Sequence, residues 1–312
     1  MPAIPPLRVL LPIEQTILLV GPAITVLAIL AWQNGGPAWL ALTWLALSAW
    51  MLSGSTVGAG AYPLMASGWA VLLAAMFGVT NLVAPGRPFF VRALSAVAAT
   101  FAVAATVVLM STVSSARVQR TLADELDRRV ATWDAALTRS TETPEWQQFT
   151  AEYPQAARFL EEGRRRFVEI PDQTLPLFPA LLGLESLAAL ALAWGIFHRI
   201  SRARVGPPMR PLREFRFGDQ LVWGLLAGIA IVAIPTLEGV RGLGLNLLIF
   251  FGALYAVRGL GVVSFFLASR RLAVAVLVIL AVISWPLSGI LSLGVGLGDT
   301  WIDWRGRARP VS

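Results

Sequence analysis

The segment Gly296-Leu297-Gly298-Asp299-Thr300-Trp301-Ile302-Asp303-Trp304-Arg305 closes the C-terminal third of this 312-residue chain. The same third opens on the polar step Phe215-Arg216-Phe217-Gly218-Asp219-Gln220, and it carries a charge between apolar residues at Val257-Arg258-Gly259. Nearly all of the chain before this third consists of apolar segments long enough to form helices, together with one polar insert. A charge at one point of a long apolar segment, with polar residues at its borders, is typical of a protein that crosses a membrane several times.

The composition excludes an ordinary water-soluble domain. Hydrophobic residues make up 56% of the chain and charged residues 14%, with a mean hydropathy of +0.69, whereas soluble domains carry roughly 25% charged residues. A chain this apolar cannot bury its surface in one soluble core, so lipid must be the solvent for much of it. The net charge of +7 is the arginine surplus usual in membrane proteins and gives no support to nucleic-acid binding.

Several kinds of chemistry lack the residues that they need. The chain has no cysteine and a single histidine, His198. These counts exclude disulfides, thiol catalysis, thiolate metal sites and a histidine metal cluster. A Ser/His/Asp arrangement, an H-E-x-x-H motif and a P-loop are also missing from the sequence. The sequence therefore predicts a protein that is not an enzyme, with no metal and no cofactor.

Eight apolar segments have about the length of a membrane-spanning helix, which needs about 20 residues. Turns rich in glycine and proline, or short runs of arginine, separate them. The predicted segments are Ile13–Trp32, Ala38–Leu52, Ala61–Val83, Phe89–Met110, Leu175–Phe197, Leu221–Leu237, Leu245–Leu267 and Leu272–Val295. We therefore predict an all-α, polytopic transmembrane helical bundle of about eight spans.

One long polar region interrupts the bundle, and its pattern predicts a helical hairpin. Four of its residues form acid-first pairs at i,i+4 spacing, which favours a helix, and Thr143-Pro144-Glu145 is a helix start. The pairs are Asp124 with Arg128 and Glu125 with Arg129. The insert is either a surface flap for docking or a solvated loop on the membrane face. It divides the chain into an N-terminal membrane domain (1–112), the insert (113–172) and a C-terminal membrane domain (173–312).

The loop His198–Arg216 carries six arginines and is the strongest cytoplasmic signal in the chain. Placing this arginine-rich loop in the cytoplasm sends the polar insert to the outside. With eight spans, Arg305, Arg307 and Arg309 would then also lie outside, against the charge rule. Alternatively the stretch Leu272–Trp304 folds back at Pro286 and returns, and the sequence leaves both possibilities open.

Arg258 is the strongest candidate for a functional residue. It lies about 13 residues into a segment of about 23, near the bilayer midplane, where a charge costs on the order of 3 kcal/mol. Such a residue faces the bundle interior and needs a partner. The candidate partners are Glu185, Asp219, Glu238 and Asn246. Arg258 is either a contact for an anionic or polar ligand or a member of a structural ion pair, and Gly259 and Gly261 would let a ligand or another backbone come close.

The predicted ligand-binding set is Arg258, Asn246, Tyr255 and Glu238. Glu238 flanks a glycine-rich turn that is either a gate or an ordinary solvated loop.

The closing segment supplies a second set, consisting of Asp299, Trp301, Asp303 and Arg305. On a helix, Asp299 and Asp303 would share one face, and Trp301 is typical of an anchor at the membrane interface. The two carboxylates could bind a cation or dock onto arginines. Alternatively the segment is a structural motif that locks the C-terminus against the arginine-rich loop, at Arg213 or Arg216.

Five short segments together resemble the YybS-like family of bacterial predicted membrane proteins, a domain of unknown function. They are Phe178-Pro179-Ala180-Leu181, the stretch from Phe215 to Trp223, Asn246, the stretch from Tyr255 to Gly261, and the closing stretch from Gly296 to Arg305. The resemblance covers about 179–305, and the closing segment is its most specific part. That family is distantly similar to the substrate-binding subunits of energy-coupling-factor vitamin transporters. The resemblance implies a multi-pass protein of the bacterial inner membrane and a transport-related role.

Two functions follow as hypotheses. The first is a transport-related membrane protein that binds a small polar molecule in a bundle cavity near Arg258 and works with an energising ATPase module. The second is a non-catalytic structural or regulatory subunit of a larger membrane assembly, which docks through the insert and the arginine-rich loop. The expected partners are membrane lipid and, in either case, other integral membrane proteins or the ATPase module, with no nucleic acid.

Overall fold

The computed structural model describes residues 13–56, 60–111, 115–155, 158, 162, 175–203, 205–267 and 285–308. Within these ranges the chain forms α-helices and short 3-10 turns and no β-strand, which confirms the all-α prediction. The α-helices are α1 (Ile13–Gln33), α2 (Ala38–Thr56), α3 (Ala61–Val83), α4 (Phe89–Met110), α5 (Ser115–Thr141), α6 (Pro144–Glu152), α7 (Phe178–Ile200), α8 (Val222–Ala233), α9 (Arg241–Leu267), α10 (Trp285–Ile302) and α11 (Trp304–Arg307).

Each of the eight apolar segments predicted from the sequence contains an apolar helix in the described part of the chain. Five helical stretches are long and apolar enough to cross a membrane: Gln15–Gln33, Ala61–Val83, Phe89–Met110, Leu175–Ile200 and Pro235–Leu267. Three others are shorter, at Ala38–Gly54, Asp219–Ala233 and Leu287–Ile302. The first half of the last predicted segment lies outside the described residues, as do most residues of the insert after 155.

Large apolar side chains remain exposed on these helices, as a membrane protein requires. Leu109 is 85% exposed, Val83 79% and Trp50 71%. Exposure of such side chains along every apolar helix would be unfavourable in water, whereas it is favourable in lipid.

The first of two compact units comprises residues 1–88, 92–176 and 185–206. In it α1 packs against both α2 and α3, and Leu27, Leu73, Phe77 and Trp194 are fully buried. Thr25 joins α1 to α2 by hydrogen bonds to Ser48 and to the carbonyl of Trp44. In lipid the hydrophobic effect does not drive helices together, so interhelical hydrogen bonds of this kind and close packing must stabilise the bundle. The three-part division predicted from the sequence rests on polarity and stays a prediction.

Two helices, α5 and α6, form the described part of the polar insert, and α5 lies against α3. The predicted helix start is confirmed: Thr143 caps α6 by accepting from the backbone N–H of Trp146, and Pro144 takes the first helical position. In α5 both Arg128 and Arg129 donate to Glu125. The predicted pair of Arg128 with Asp124 is therefore replaced by a bidentate bond to Glu125, whose two oxygens accept from both arginines.

Acidification should weaken α5 through Glu125. Partial burial would raise the pKa of Glu125, but the hydrogen bonds and charges of Arg128 and Arg129 outweigh it and lower the pKa below its usual 4.5. Since the folded state holds the carboxylate, this contribution is present above pH 4.5 and is lost as the pH falls through the lowered pKa. We expect Glu125→Gln to increase hydrogen exchange in the peptides covering 115–141 at pH 6. The difference from wild type should shrink as the pH falls through the lowered pKa of Glu125, and a difference that stays constant on acidification would contradict the assignment.

The second compact unit comprises residues 89–91, 177–184 and 207–312. Its centre is α9, which packs against α8, α10 and the 3-10 turn Leu212–Glu214. The helix α8 ends at Ala233, before Pro235, because the residue that precedes a proline is pushed into an extended conformation. At 12 residues α8 is about 18 Å long, which is too short to cross a membrane alone.

Glycines bring the backbones of the second unit into direct contact. A Cβ on Gly259 would overlap the carbonyl of Ser292, and one on Gly296 would overlap the carbonyl of Tyr255. A Cβ on Gly261 would lie 2.6 Å from the carbonyl oxygen of Leu212. The close approach predicted at Gly259 and Gly261 is thus made by other backbone segments of the same chain.

Candidate functional site

Arg258 lies at the centre of a network of charges in the second unit, which we call the arginine–aspartate network. Its Nε donates to Asp299 Oδ2 at 3.0 Å, and its Nη2 donates to the Asp299 carbonyl at 3.2 Å. Its Nη1 donates to Asp219 Oδ1 at 3.2 Å and to the carbonyl of Phe217 at 3.4 Å. All three nitrogens of this 4%-exposed side chain therefore have partners within the chain.

Asp299 links Arg258 to a second buried arginine, Arg305. Arg305 Nη2 donates to Asp299 Oδ2 at 2.6 Å, and the Asp299 side chain has no exposed surface. Arg305 Nη1 donates to the carbonyls of Arg213 and Phe215 at 3.1 and 3.0 Å. One carboxylate thus holds two buried guanidinium groups, which in turn hold the loop before α8.

This arrangement bears on the side of the membrane at which the chain ends. Because Arg305 is bonded to two carbonyls of the arginine-rich loop, Arg305 lies beside that loop and not across the membrane from it. Of the two possibilities left open by the sequence, the arrangement agrees with the return of the chain to the loop. Pro286, at which the sequence placed the fold-back, lies in the first turn of α10, and residues 268–284 lie outside the described part of the chain.

The four residues of the predicted ligand-binding set do not come together. Tyr255 is buried one turn from Arg258, and its ring packs edge-on against Phe217 at 5.0 Å. Asn246, 12 residues or about 18 Å before Arg258 along α9, accepts from the backbone N–H of Ala180 at 2.8 Å. Glu238 is exposed in the turn before α9.

Arg258 also lies nearer one end of its helix than the sequence predicted. The helix begins at Arg241 instead of Leu245, since the glycines after Arg241 continue the helix. This places Arg258 two thirds of the way along α9. Its partner Asp219 is 66% exposed, so the network extends from a buried arginine to the surface.

The closing segment is bent, and its two aspartates face different partners. The helix α10 ends at Ile302, and Asp303 takes a left-handed conformation, φ 45°, from which its side chain caps α11. Asp303 accepts from Arg216 at 2.5 Å, and this hydrogen bond lowers the pKa of Asp303. Trp301 is 69% exposed. The predicted shared face of Asp299 and Asp303 is wrong, because the left-handed residue ends the helix between them and redirects the chain.

A second polar cluster lies in the first unit around Glu185, and we call it the Glu185 cluster. Gln15 Nε2 donates to Glu185 Oε2 at 2.9 Å, and Thr16 Oγ1 donates to Oε1 at 3.0 Å. Tyr62 donates to the Gln15 side chain at 2.5 Å. The guanidinium of Arg129 lies 4.8 Å from the centre of the Tyr62 ring, and its charge acts on Glu185.

Four helices supply this cluster, and sequence reasoning did not find it. Gln15 and Thr16 are on α1, Tyr62 on α3, Arg129 on α5 and Glu185 on α7. From the sequence Glu185 was only a candidate partner for Arg258, which pairs with Asp219 and Asp299 instead. The available signal was the charge itself: Glu185 is the one carboxylate between Leu175 and Ile200, and an ionisable residue inside a span is a functional candidate by default.

Arg92 is a third charge inside an apolar helix. Its side chain is 1% exposed. It donates to Asn81 Oδ1 at 2.6 Å and stacks over Trp194 at 4.6 Å. Its Nη2 approaches Gly206, where φ is +96° and a Cβ would lie 2.9 Å away. Arg92 therefore packs together α3, α4 and α7, together with the backbone that follows α7.

Within the described residues no group of three histidine, cysteine, aspartate or glutamate side chains could hold a metal ion. The observed clusters pair carboxylates with arginines, amides and hydroxyls. Chemically they can bind or exchange a proton or a polar group, and they contain no activated nucleophile.

Comparison with known proteins places the chain in a family. A family model described as "Predicted membrane protein (DUF2232)" matches residues 4–300. The chain belongs to this family. Together with the five helices of spanning length, this membership identifies an integral membrane protein. No curated protein and no solved structure matches the chain.

Proposed function

We propose that the chain is a non-enzymatic, transport-related protein of a bacterial inner membrane that binds a small polar molecule inside its helical bundle. One observation carries this proposal: a carboxylate, Glu185, is 5% exposed in a candidate span and accepts from two side chains of α1. Tyr62 of α3 donates to one of these two side chains, and the charge of Arg129 on α5 acts on Glu185. Charged groups within a membrane domain are costly and are usually retained for binding or relay.

The arginine–aspartate network is the weaker candidate for the binding site. All three nitrogens of Arg258 already donate to groups of the chain. A ligand there would have to displace Asp299 or Asp219 from Arg258. Its binding free energy would be only the difference between its own bond to Arg258 and the aspartate bond that it replaces. Each oxygen of Glu185, by contrast, accepts only one described hydrogen bond, and a carboxylate has about four sites for acceptance.

The resemblance of residues 179–305 to YybS-like proteins, and through them to substrate-binding subunits of energy-coupling-factor transporters, agrees with a transport role. It is a resemblance of short sequence segments and does not name a substrate. On this proposal an energising ATPase module is the expected partner.

Replacing Glu185 tests the binding site. Native mass spectrometry of the protein, extracted gently from its own membrane, should show a retained small molecule. We expect Glu185→Gln to reduce its occupancy at least about tenfold, because loss of one charged contact costs more than about 1.4 kcal/mol. Glu152→Gln is the matched control, since Glu152 is exposed at the end of α6 and belongs to neither predicted site. Unchanged occupancy in Glu185→Gln, or equal losses in both variants, would remove Glu185 from the site.

A second function is favoured by the exposed charges of α5 and by the bonds that each nitrogen of Arg258 already makes within the chain. In this case the protein is a structural or regulatory subunit of a membrane assembly. Arg117, Arg120 and Arg128 lie on the exposed face of α5, where a partner could dock. This function predicts that other integral membrane proteins co-purify with the chain and are lost when residues 113–170 are deleted, with no small molecule retained. Retention of a small molecule after that deletion would favour the transport role.

A further inference from the structure

Four arginines line a cleft on the surface of the second unit. The cleft encloses about 200 Å³ between Arg210, Arg213, Glu214, Arg216 and Arg305, and we call it the arginine cleft. Its volume has room for several water-sized groups. Arg210 and the side chain of Arg213 make no bond to the arginine–aspartate network. The network therefore does not account for the presence of these two arginines in the cleft.

The arginines of the cleft differ in how far their charge is compensated. Arg305 is bonded to Asp299, and Arg216 is bonded to Asp303. Among the described residues, the ion-pair partner of Arg213 is Glu214, at a long 3.9 Å, and the Arg213 side chain is 54% exposed. Within the described part of the chain Arg210 has no ion-pair partner, so Arg210 and Arg213 together face one carboxylate. The cleft therefore holds a surplus of positive charge that is open to solvent.

The backbone of the cleft is held in place before any ligand arrives. Pro211 precedes the 3-10 turn Leu212–Glu214, which packs on α9. The buried Arg305 donates to the carbonyls of Arg213 and Phe215, on either side of Glu214. A fixed backbone reduces the ordering cost of binding. Guanidinium groups presented together in this way match the geometry of a phosphate group, which they bind through paired hydrogen bonds.

We propose that the arginine cleft binds a phosphate group through Arg210 and Arg213. The phosphate belongs either to the headgroup of an anionic phospholipid or to a soluble phosphate compound. The positive-inside rule assigns this loop to the cytoplasmic face, where anionic headgroups are concentrated and basic pockets attract them. This site is independent of the Glu185 cluster, and either proposal can fail alone.

The test removes two charges from the cleft and compares the result with the removal of two charges elsewhere in the same loop. The variant is Arg210→Gln with Arg213→Gln. The control is Arg199→Gln with Arg202→Gln, since both of these residues are exposed and neither lines the cleft. Both pairs lower the net charge equally. The carbonyl of Arg213 that receives Arg305 survives the substitution, so folding is expected to persist, and gel filtration checks it.

In the lipid arm, each protein is placed in nanodiscs of phosphatidylcholine and phosphatidylglycerol, transferred to neutral detergent and examined by native mass spectrometry. In the phosphate arm, inorganic phosphate is titrated at constant ionic strength against chloride while the unfolding temperature is measured. We expect the cleft variant, and not the control, to lose retained phosphatidylglycerol about tenfold or to lose the stabilisation by phosphate.

Each combination of outcomes decides something. Loss in the lipid arm alone identifies a headgroup, loss in the phosphate arm alone identifies a soluble ligand, and loss in both identifies a site that accepts either. Equal losses in the cleft variant and the control would show that binding depends on the net charge of the loop and not on the cleft, and would overturn the proposal. It is equally overturned if wild type binds neither probe, or if the cleft variant matches wild type in both arms.

Discussion

Replacing Asp299 by asparagine should destabilise the protein by about 3 kcal/mol or more, because it leaves two buried guanidinium groups without their shared counter-charge. Arg258 is 4% exposed and Arg305 is 1% exposed, and both donate to Asp299. Asparagine has nearly the same shape, so the loss reports charge and hydrogen bonding and not a cavity. The measurement is unfolding in mixed micelles of increasing denaturing-detergent content, followed by the fluorescence of the 12 tryptophans.

The matched control for this prediction is Asp303→Asn. Asp303 also pairs with an arginine, Arg216, but both side chains are largely exposed, and exposed ion pairs contribute little. Asparagine can also keep the cap of α11. A loss in the Asp303 variant as large as that in the Asp299 variant would show that burial of the network is not what makes it stabilising.

Alanine at Gly259 or at Gly296 should cost about 3 kcal/mol each, at the upper end of what overpacking usually costs. The new Cβ would overlap a backbone carbonyl of the facing helix, which cannot rotate away as a side chain would. The helices α9 and α10 would have to separate, and the bond from Arg258 to Asp299 spans the same interface. Unfolding in mixed micelles measures the effect.

Two glycines of the same helices provide controls. Gly252 on α9 and Gly294 on α10 have nothing within 4 Å of an added Cβ. Alanine at these positions should be neutral, or should stabilise by about 0.5–1 kcal/mol through its helix propensity. The double variant of Gly259 and Gly296 should cost less than the sum of the two single variants, because the first substitution already separates the helices. If alanine at Gly252 is as harmful as alanine at Gly259, then helix flexibility and not close packing is responsible.

The distribution of charges in space differs from what the sequence indicates, and the difference bears on function. The sequence predicted the binding site at Arg258, since a charged residue inside a long apolar segment is easily recognised from the sequence alone. The structure supplies Arg258 with partners from the loop before α8 and from the end of α10, 39 and 41 residues away. It leaves Glu185, which the sequence treated as secondary, as the centre of a cluster whose donor residues lie up to 170 positions away.

The apolar lengths and the turn residues alone determined the helices. The predicted limits of α3 and α4 coincide with the observed ones. The helix α8 ends just before Pro235, inside the predicted segment Leu221–Leu237. These features are local: about 20 apolar residues must form a helix in lipid, since every backbone group needs a partner within the segment, and proline ends a helix through its own ring.

Only the tertiary structure decided which charges meet. Asp303 was expected to continue the helix and instead takes a left-handed conformation that turns the chain, so Asp299 faces Arg258 and Arg305 while Asp303 faces Arg216. Ion pairs between distant residues depend on how helices pack, and several carboxylates were equally eligible for each arginine. The sequence determined that the buried charges must be compensated, because an unpaired charge in lipid is costly. The packing of α9 against α10 and against the loop before α8 determined which partner compensates each charge.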